Sequence, residues 1–238
     1  MRLARLVASL VISGLALLAL GMVLGFASAR AANGPAANGP ATNGSYDVSA
    51  YRYTDKPTPA AIGGTHVLDI YVDQDFAPDE RERIGLAIRQ WNHVLNGFVR
   101  LRPTLLPPDP SSHALSRLRR SGAWIVAKVD SRHPAARQPS ALAMTVGGSG
   151  GGFVYVIADR FGMRDLTAVM LHELGHLLGA GHDPHGHLMA PVYDRSNGHC
   201  IDRGAVAMVA AVQHLPLSQL NWCVGPGLED ARYSARRY

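Results

Sequence analysis

The sequence predicts an α+β domain. Three observations point there: several β-rich runs precede residue 160, one amphipathic helix lies among them, and two capped apolar helices follow. With 238 residues and 47% apolar content, the chain can bury one good core but scarcely two.

The elements follow in order. The run His-Val-Leu-Asp-Ile-Tyr-Val from His66 to Val72 alternates and is rich in β-formers, so it reads as a strand. Pro78 and the acidic Asp79, Glu80 and Glu82 open a helix that Gly97 closes. Its apolar stripe is Ile84, Ala87, Ile88, Trp91 and Leu95, and His93 reads as a surface or core residue of that helix rather than a ligand. Residues 98–102 read as a second strand. Residues 103–121, with prolines and the basic Arg117, Arg119 and Arg120, read as a loop with a solvated charged surface. Residues 123–129 form a third strand and residues 140–146 a short apolar one. Residues 147–152 are Gly-Gly-Ser-Gly-Gly-Gly. They lack the lysine and following helix of a phosphate-binding loop, so they are expected to be a flexible turn between two strands. Residues 153–157 are the last strand before a helix that Asp165 can cap and that packs through Leu166, Val169, Met170, Leu174, Leu177 and Leu178. Asp202 can cap a final helix through Ala205, Val206, Met208, Val209 and Val212, which stops before Pro216.

The helix after Asp165 carries the chemistry. It reads His172-Glu173-Leu174-Gly175-His176-Leu177-Leu178-Gly179-Ala180-Gly181-His182, the pattern H-E-x-x-H-x-x-G-x-x-H. Residues four apart on a helix lie about 6 Å apart along the axis and only about 40° apart around it, so His172 and His176 can aim at one point. Glu173 sits roughly 100° round from His172, within reach of a water at that point without being a ligand. Gly179 can take the left-handed conformation that ends a helix, and the turned chain can return His182 to the same ion. Three neutral imidazoles leave a fourth zinc position open, the arrangement of a catalytic site. A core helix with incidental histidines is the plain alternative, but chance supplies the five fixed residues only about once in ten thousand chains of this length.

Together with His187-Leu188-Met189-Ala190-Pro191, the motif resembles the metzincin metalloproteases, in which a methionine turn lies beneath the metal. Leu-Met-x-Pro most resembles the matrixin branch. Asp183 departs from matrixins, which usually carry serine there, and is similar to the adamalysins. The resemblance implies a zincin domain: a mixed twisted sheet with an antiparallel edge strand, a zinc helix and a C-terminal helix. It implies one catalytic Zn²⁺ held by His172, His176 and His182, with Glu173 as the catalytic base and Met189 beneath the ligands. It also places residues 140–146 at the edge strand along which a polypeptide substrate pairs. The structural zinc and calcium sites of matrixins are not carried over, because His113 and His133 are isolated and Asp159 stands almost alone. No cysteine precedes the motif to act as an inhibitory thiolate switch. Tyr193 lies four residues after Met189, whereas the zinc-site tyrosine of astacins and serralysins lies two after, so it receives no catalytic role. His185 and His187 could replace His182 or bind a second ion, but the motif spacing selects His182.

The expected activity is therefore zinc-dependent endopeptidase hydrolysis through a metal-activated water. Two rival readings are a non-proteolytic zinc-binding interaction module, which need not keep Glu173, and a zinc hydrolase of cell-wall components.

Residues 1–31 read as a targeting segment. Arg2 and Arg5 precede an unbroken apolar run over residues 6–26, and Ala27-Ser28-Ala29 and Ala29-Arg30-Ala31 are both cleavage candidates. The run is long enough to serve as an uncleaved membrane anchor, so a signal peptide and a signal anchor both stand. Either exports the domain. Residues 32–45, an Ala-Asn-Gly-Pro repeat, are expected to be a linker, residues 46–225 the catalytic domain and residues 226–238 a basic tail. The net charge of +5 falls to +2 without the three leader arginines, and no basic stripe interleaves with aromatics, which argues against nucleic acid as a partner. Cys200 and Cys223 suit a disulfide in an oxidising compartment. Two free thiols or a second metal site are the alternatives, and the lack of a C-x-x-C pair weakens the metal.

Overall fold

The computed structural model describes residues 50–59, 64–108, 110–148, 150–162, 164–193, 199–226 and 228. The expected leader, linker and nearly all of the basic tail lie outside the described residues. Strand β1 (Arg52–Tyr53) is followed by β2 (His66–Val72), helix α1 (Pro78–Val94), β3 (Val99–Leu105), α2 (Ser112–Arg120) and β4 (Trp124–Val129). Then come β5 (Ala143–Gly148), β6 (Gly151–Ile157), α3 (Leu166–Leu177), α4 (Arg203–Val212) and β7 (Cys223–Val224). The main sheet has the order β3-β2-β4-β6-β5, parallel throughout except for β5, which pairs antiparallel with β6 at one edge. This is the mixed sheet with an antiparallel edge strand that the sequence led us to expect.

The central strands β4 and β6 are apolar along nearly their whole length because both faces of the sheet are covered. Successive side chains alternate between faces. Trp124, Val126, Val154 and Val156 join the larger core with α1, α3 and α4, whereas Ile125, Ala127, Phe153, Tyr155 and Ile157 pack with Leu115 of α2. Helix α1 buries Ile84, Ala87, Ile88, Trp91 and Val94, with Leu95 just beyond its end. Pro78 occupies its first turn, and the Glu80 carboxylate accepts from the Ala77 N–H at 2.6 Å. The indole N–H of Trp91 donates to the Leu171 carbonyl at 2.9 Å and locks α1 to α3.

Two expectations need correction. Residues 103–121 are not a loop. Strand β3 runs on through Pro103 to Leu105, because an edge strand tolerates a residue without an N–H, and α2 then starts at an N-cap, Ser111, whose side chain accepts from Ala114 N. Leu115 is the buried side of α2. Arg117 and Arg120 are exposed on the other, whereas Arg119 turns inward with its guanidinium 5.4 Å from the Phe153 ring, so only part of the basic patch is the polar face of a helix. Nor are residues 147–152 a free turn. Gly147, Gly148, Gly151 and Gly152 belong to the β5–β6 ladder. A Cβ on Gly147 or Gly152 would come within 2.8 or 2.7 Å of the Trp124 ring, so the indole occupies the space that side chains would need.

The two ends of the domain are woven together. Strand β1 pairs with β7, opposing Tyr53 to Cys223, and the Tyr53 hydroxyl donates to Gln90 Oε1 and accepts from Ile201 N. Buried Asn221 accepts from Lys56 N and donates to the His93 carbonyl. His93 itself meets the Thr54 carbonyl at 3.0 Å and packs edge-on against Tyr53. A Cys200–Cys223 disulfide closes this layer around α4, with a sequence separation of 23. A loop of that size contributes about 3 kcal/mol. Replacing both cysteines by serine is expected to lower Tm by roughly 6–12 °C in a thermal melt, and an unchanged melt would show that β1, β7 and Asn221 hold the layer alone.

Candidate active site

Helix α3 is buried on nearly all sides and is capped by Asp165, whose side chain accepts from Thr167 N at 2.8 Å. Its last turn ends in a double closure. The Gly179 N–H donates to the His176 carbonyl and the Ala180 N–H to the Gly175 carbonyl, both at 2.9 Å. Gly179 has φ +101°, the left-handed conformation expected of it, and a Cβ there would lie 2.5 Å from Val212 Cγ1 of α4. The turn returns His182 to the helix.

His172, His176 and His182 come together. One ring nitrogen from each lies within 4.8 Å of the others, and His185 and His187 are not part of this group. The Nε2 atoms of His176 and His182 are 3.1 Å apart. Two zinc-bound nitrogens in a tetrahedral site are separated by roughly 3.3 Å, so the spacing suits that ion. The outer nitrogens are held as well. His172 Nδ1 donates to the Leu188 carbonyl at 2.7 Å and His176 Nδ1 to the Ala180 carbonyl at 2.8 Å. A carbonyl only accepts, so Nδ1 carries the proton and Nε2 keeps the lone pair a metal needs. Burial, more than the neighbouring His176 and His182 rings, pushes His172 down to about 4, and burial followed by His176 also lowers His182. Both rings are therefore neutral at pH 7, the form that ligates.

Glu173 lies beside them, only 6% exposed. Burial pushes its carboxyl up to about 7, against hydrogen bonding from Thr145. Thr145 Oγ1 of β5 donates to Glu173 Oε2 at 2.6 Å.

Beneath the helix lies Met189, 1% exposed. A Cβ on Gly175 would come within 2.6 Å of Met189 Sδ, so the glycine inside the motif makes room for the methionine. The turn carrying Met189 is fixed by Asp183 N donating to Met189 O and by Leu188 N donating to Asp202 Oδ2. Asp202 caps α4 through its other oxygen, to Gly204 N and Ala205 N, so one carboxylate ties the α4 cap to the carbonyl that orients His172. Asp183 Oδ1 accepts from His185 N, a local turn that accounts for an aspartate here. The Tyr193 hydroxyl accepts from Asp165 N, seven residues before His172, and so pins the cleft wall to the start of α3. His133 caps a short helical turn and packs on Tyr155.

The histidines and Glu173 open on a cleft of about 910 Å³, bordered by β5 on one side and by Pro191, Val192 and Tyr193 on the other. Ile157 N donates to Leu142 O, which makes Leu142 and Ile157 a hydrogen-bonded pair. Alternation along the unbroken register then turns the N–H and C=O of Ala143 and Thr145 away from β6, toward the open edge. Sequence reasoning missed Thr145 and the second task of Asp202. A threonine in an apolar strand and an aspartate at a helix start carry no local sign of a partner in another element. Gly175 was legible in principle, since a glycine inside a helix costs about 1 kcal/mol relative to alanine and needs a packing reason.

Gly179→Ala is expected to destabilise the protein by more than about 1–2 kcal/mol, from the left-handed backbone alone, with the Val212 clash added. Chemical denaturation measures the loss, and a variant as stable as the parent would mean the turn relaxes without strain.

The matrixin family matches residues 74–211, from before α1 into α4. No curated protein matches the chain. Among solved structures, the chain is similar to metalloproteinase-II from Bacteroides fragilis, with TM-score 0.41 and 16% identity over 61% of this chain and 52% of that one. It is also similar to high choriolytic enzyme 1, a hatching enzyme zinc-protease from the medaka fish Oryzias latipes, with TM-score 0.31 and 16% identity over 53% of this chain and 50% of that one. The chain thus spans about half the length of these two proteins. The family match covers more than half of the sequence and runs through the histidine helix and the turn that carries Met189: the chain belongs to the matrixin family.

Proposed function

We propose that the chain is an exported zinc endopeptidase in which His172, His176 and His182 hold the catalytic ion and Glu173 is the general base. The observation that carries this reading is the convergence of three imidazoles beside a buried carboxylate on the wall of an open cleft. Zinc bound there would supply a Lewis acid that polarises the scissile carbonyl and acidifies water. The chain's own residues do the rest. The outward N–H and C=O groups of Ala143 and Thr145 align a polypeptide as an added strand along β5. Glu173, kept close to neutral pH by burial, takes the proton of the attacking water and returns it to the leaving amine. Leu188 O and Ala180 O hold two of the rings in the ligating tautomer. Met189 supports the helix from below.

Residues 46–225 form the catalytic unit in this reading, exported by residues 1–31 as a cleaved signal or as an anchor through residues 6–26. Residues 32–45 serve as the linker and residues 226–238 as the tail. The Cys200–Cys223 disulfide supports export. Among the described residues no helix is long and apolar enough to cross a membrane.

Purified protein is expected to hold one zinc per chain and to cut a mixed peptide library, with activity lost to a chelator. Glu173→Ala should keep the zinc and lose at least about 10²–10⁴-fold in kcat. Tight zinc binding with no peptide cut by the parent protein would overturn the proteolytic reading. Cell fractionation should place the protein outside the cytoplasm with Cys200 and Cys223 oxidised, and a cytoplasmic protein with two free thiols would overturn export.

A further inference from the structure

We infer that Thr145 is a positioning residue for the base, and that it joins the substrate-pairing strand to the proton-transferring oxygen. The inference rests on the reading of Glu173 as general base. Thr145 stands in β5 opposite Val154, with its own N–H and C=O turned away from β6 to the open edge. Its side chain turns instead to α3, where Oγ1 lies 2.6 Å from Glu173 Oε2 and 3.2 Å from the Glu173 carbonyl. An ionised carboxylate has no proton to give, so in this pair the hydroxyl is the donor. The short distance is that of a charge-assisted bond.

The bond divides the labour between the two carboxylate oxygens. Oε2 is occupied by the threonine proton. Oε1 accepts from no group among the described residues, and Glu173 lines the cleft, so Oε1 is the oxygen open to it. A proton taken from water is carried on Oε1 and handed to the leaving nitrogen from the same atom. Thr145 keeps its own proton throughout and fixes the plane in which that transfer occurs. The main chain of the same residue faces a bound polypeptide, so a substrate that pairs with β5 is registered against the base through one residue. A valine at this position would fill nearly the same volume and could not donate.

The test compares the parent protein with Thr145→Val, Thr145→Ser and Glu173→Ala. The readouts are kcat and KM on one peptide, zinc content, Tm and a crystal structure of the valine variant. The expected result for Thr145→Val is a ten- to hundredfold fall in kcat, with KM and zinc content unchanged and the Glu173 carboxylate rotated in the crystal. Thr145→Ser should restore most of the rate, because it keeps the donor. A valine variant with parental kcat, beside an inactive Glu173→Ala, would overturn the role of Thr145 and leave the base intact. Loss of zinc, or a fall in Tm that serine does not repair, would assign Thr145 to structure alone and would also overturn it. Parental activity in Glu173→Ala would remove the base reading, and this inference with it.

Discussion

Three imidazole lone pairs aimed at one point repel one another, and the fold must hold them there before any cation arrives. Two Nε2 atoms 3.1 Å apart, in a partly buried site, are an arrangement that only a shared cation or proton relieves. The restraint comes from backbone carbonyls, which cannot turn away as side chains can. Leu188 O fixes one ring and Ala180 O another, and each carbonyl is itself fixed. Ala180 follows the double hydrogen-bonded turn at Gly179, and Leu188 hangs from Asp202 at the start of α4. The first ligand thus depends on the last helix, thirty residues downstream of it. This explains why the α4 layer is stapled so heavily, by the disulfide, the β1–β7 pair and buried Asn221.

The helix that carries two of the candidate ligands is also buried along nearly its whole length. Trp91 donates its indole proton to the Leu171 carbonyl, and Trp91 and Met189 together occupy the space beside Gly175. A helix-interior glycine sacrifices about 1 kcal/mol of helix propensity. Here that loss is offset by close packing of a nearly fully buried methionine and tryptophan. The methionine packs against the helix at Gly175, one residue before His176. Its role is geometric, and it needs no chemistry of its own.

What was legible in the sequence were features with a short range. His172 and His176 share a helix face, Gly179 marks the stop, and Asp165 and Asp202 mark the starts, because all of these are set by helix periodicity and capping within a few residues. The long apolar runs of β4 and β6 were equally plain. Helix α2 was misread because its nine residues include three arginines, a composition that looks like loop surface. Ser111 ahead of Leu115 and Leu118 was the available sign of a cap and an apolar face. The glycine run was misread for the opposite reason. Its conformational freedom is removed by Trp124, which precedes it by more than twenty residues and meets it only through the ladder. Thr145 and the second oxygen of Asp202 belong to the same class, contacts made between elements that local patterns do not encode.

The two edges of the sheet differ in how open they are to a further strand, and the more open one lies beside Glu173. A sheet edge offers unpaired N–H and C=O groups to any passing strand, and proteins guard edges they do not use. Strand β3 is guarded. Arg100 and Arg102 stand exposed along it, Asp69 on β2 holds Arg102 in place, and Pro103 withdraws one donor from the ladder. Strand β5 has no charge and no proline, and its sequence Ala-Met-Thr-Val-Gly-Gly is compatible with a further strand at every position. It is also the one antiparallel strand of the sheet, pairing with the central β6 that leads by a short connection into α3. An extended polypeptide therefore meets repulsive, interrupted pairing at one edge and continuous pairing at the other, beside Glu173. Under the proposed endopeptidase reading, a preference for an extended chain would arise from this backbone geometry, before any side-chain pocket is considered.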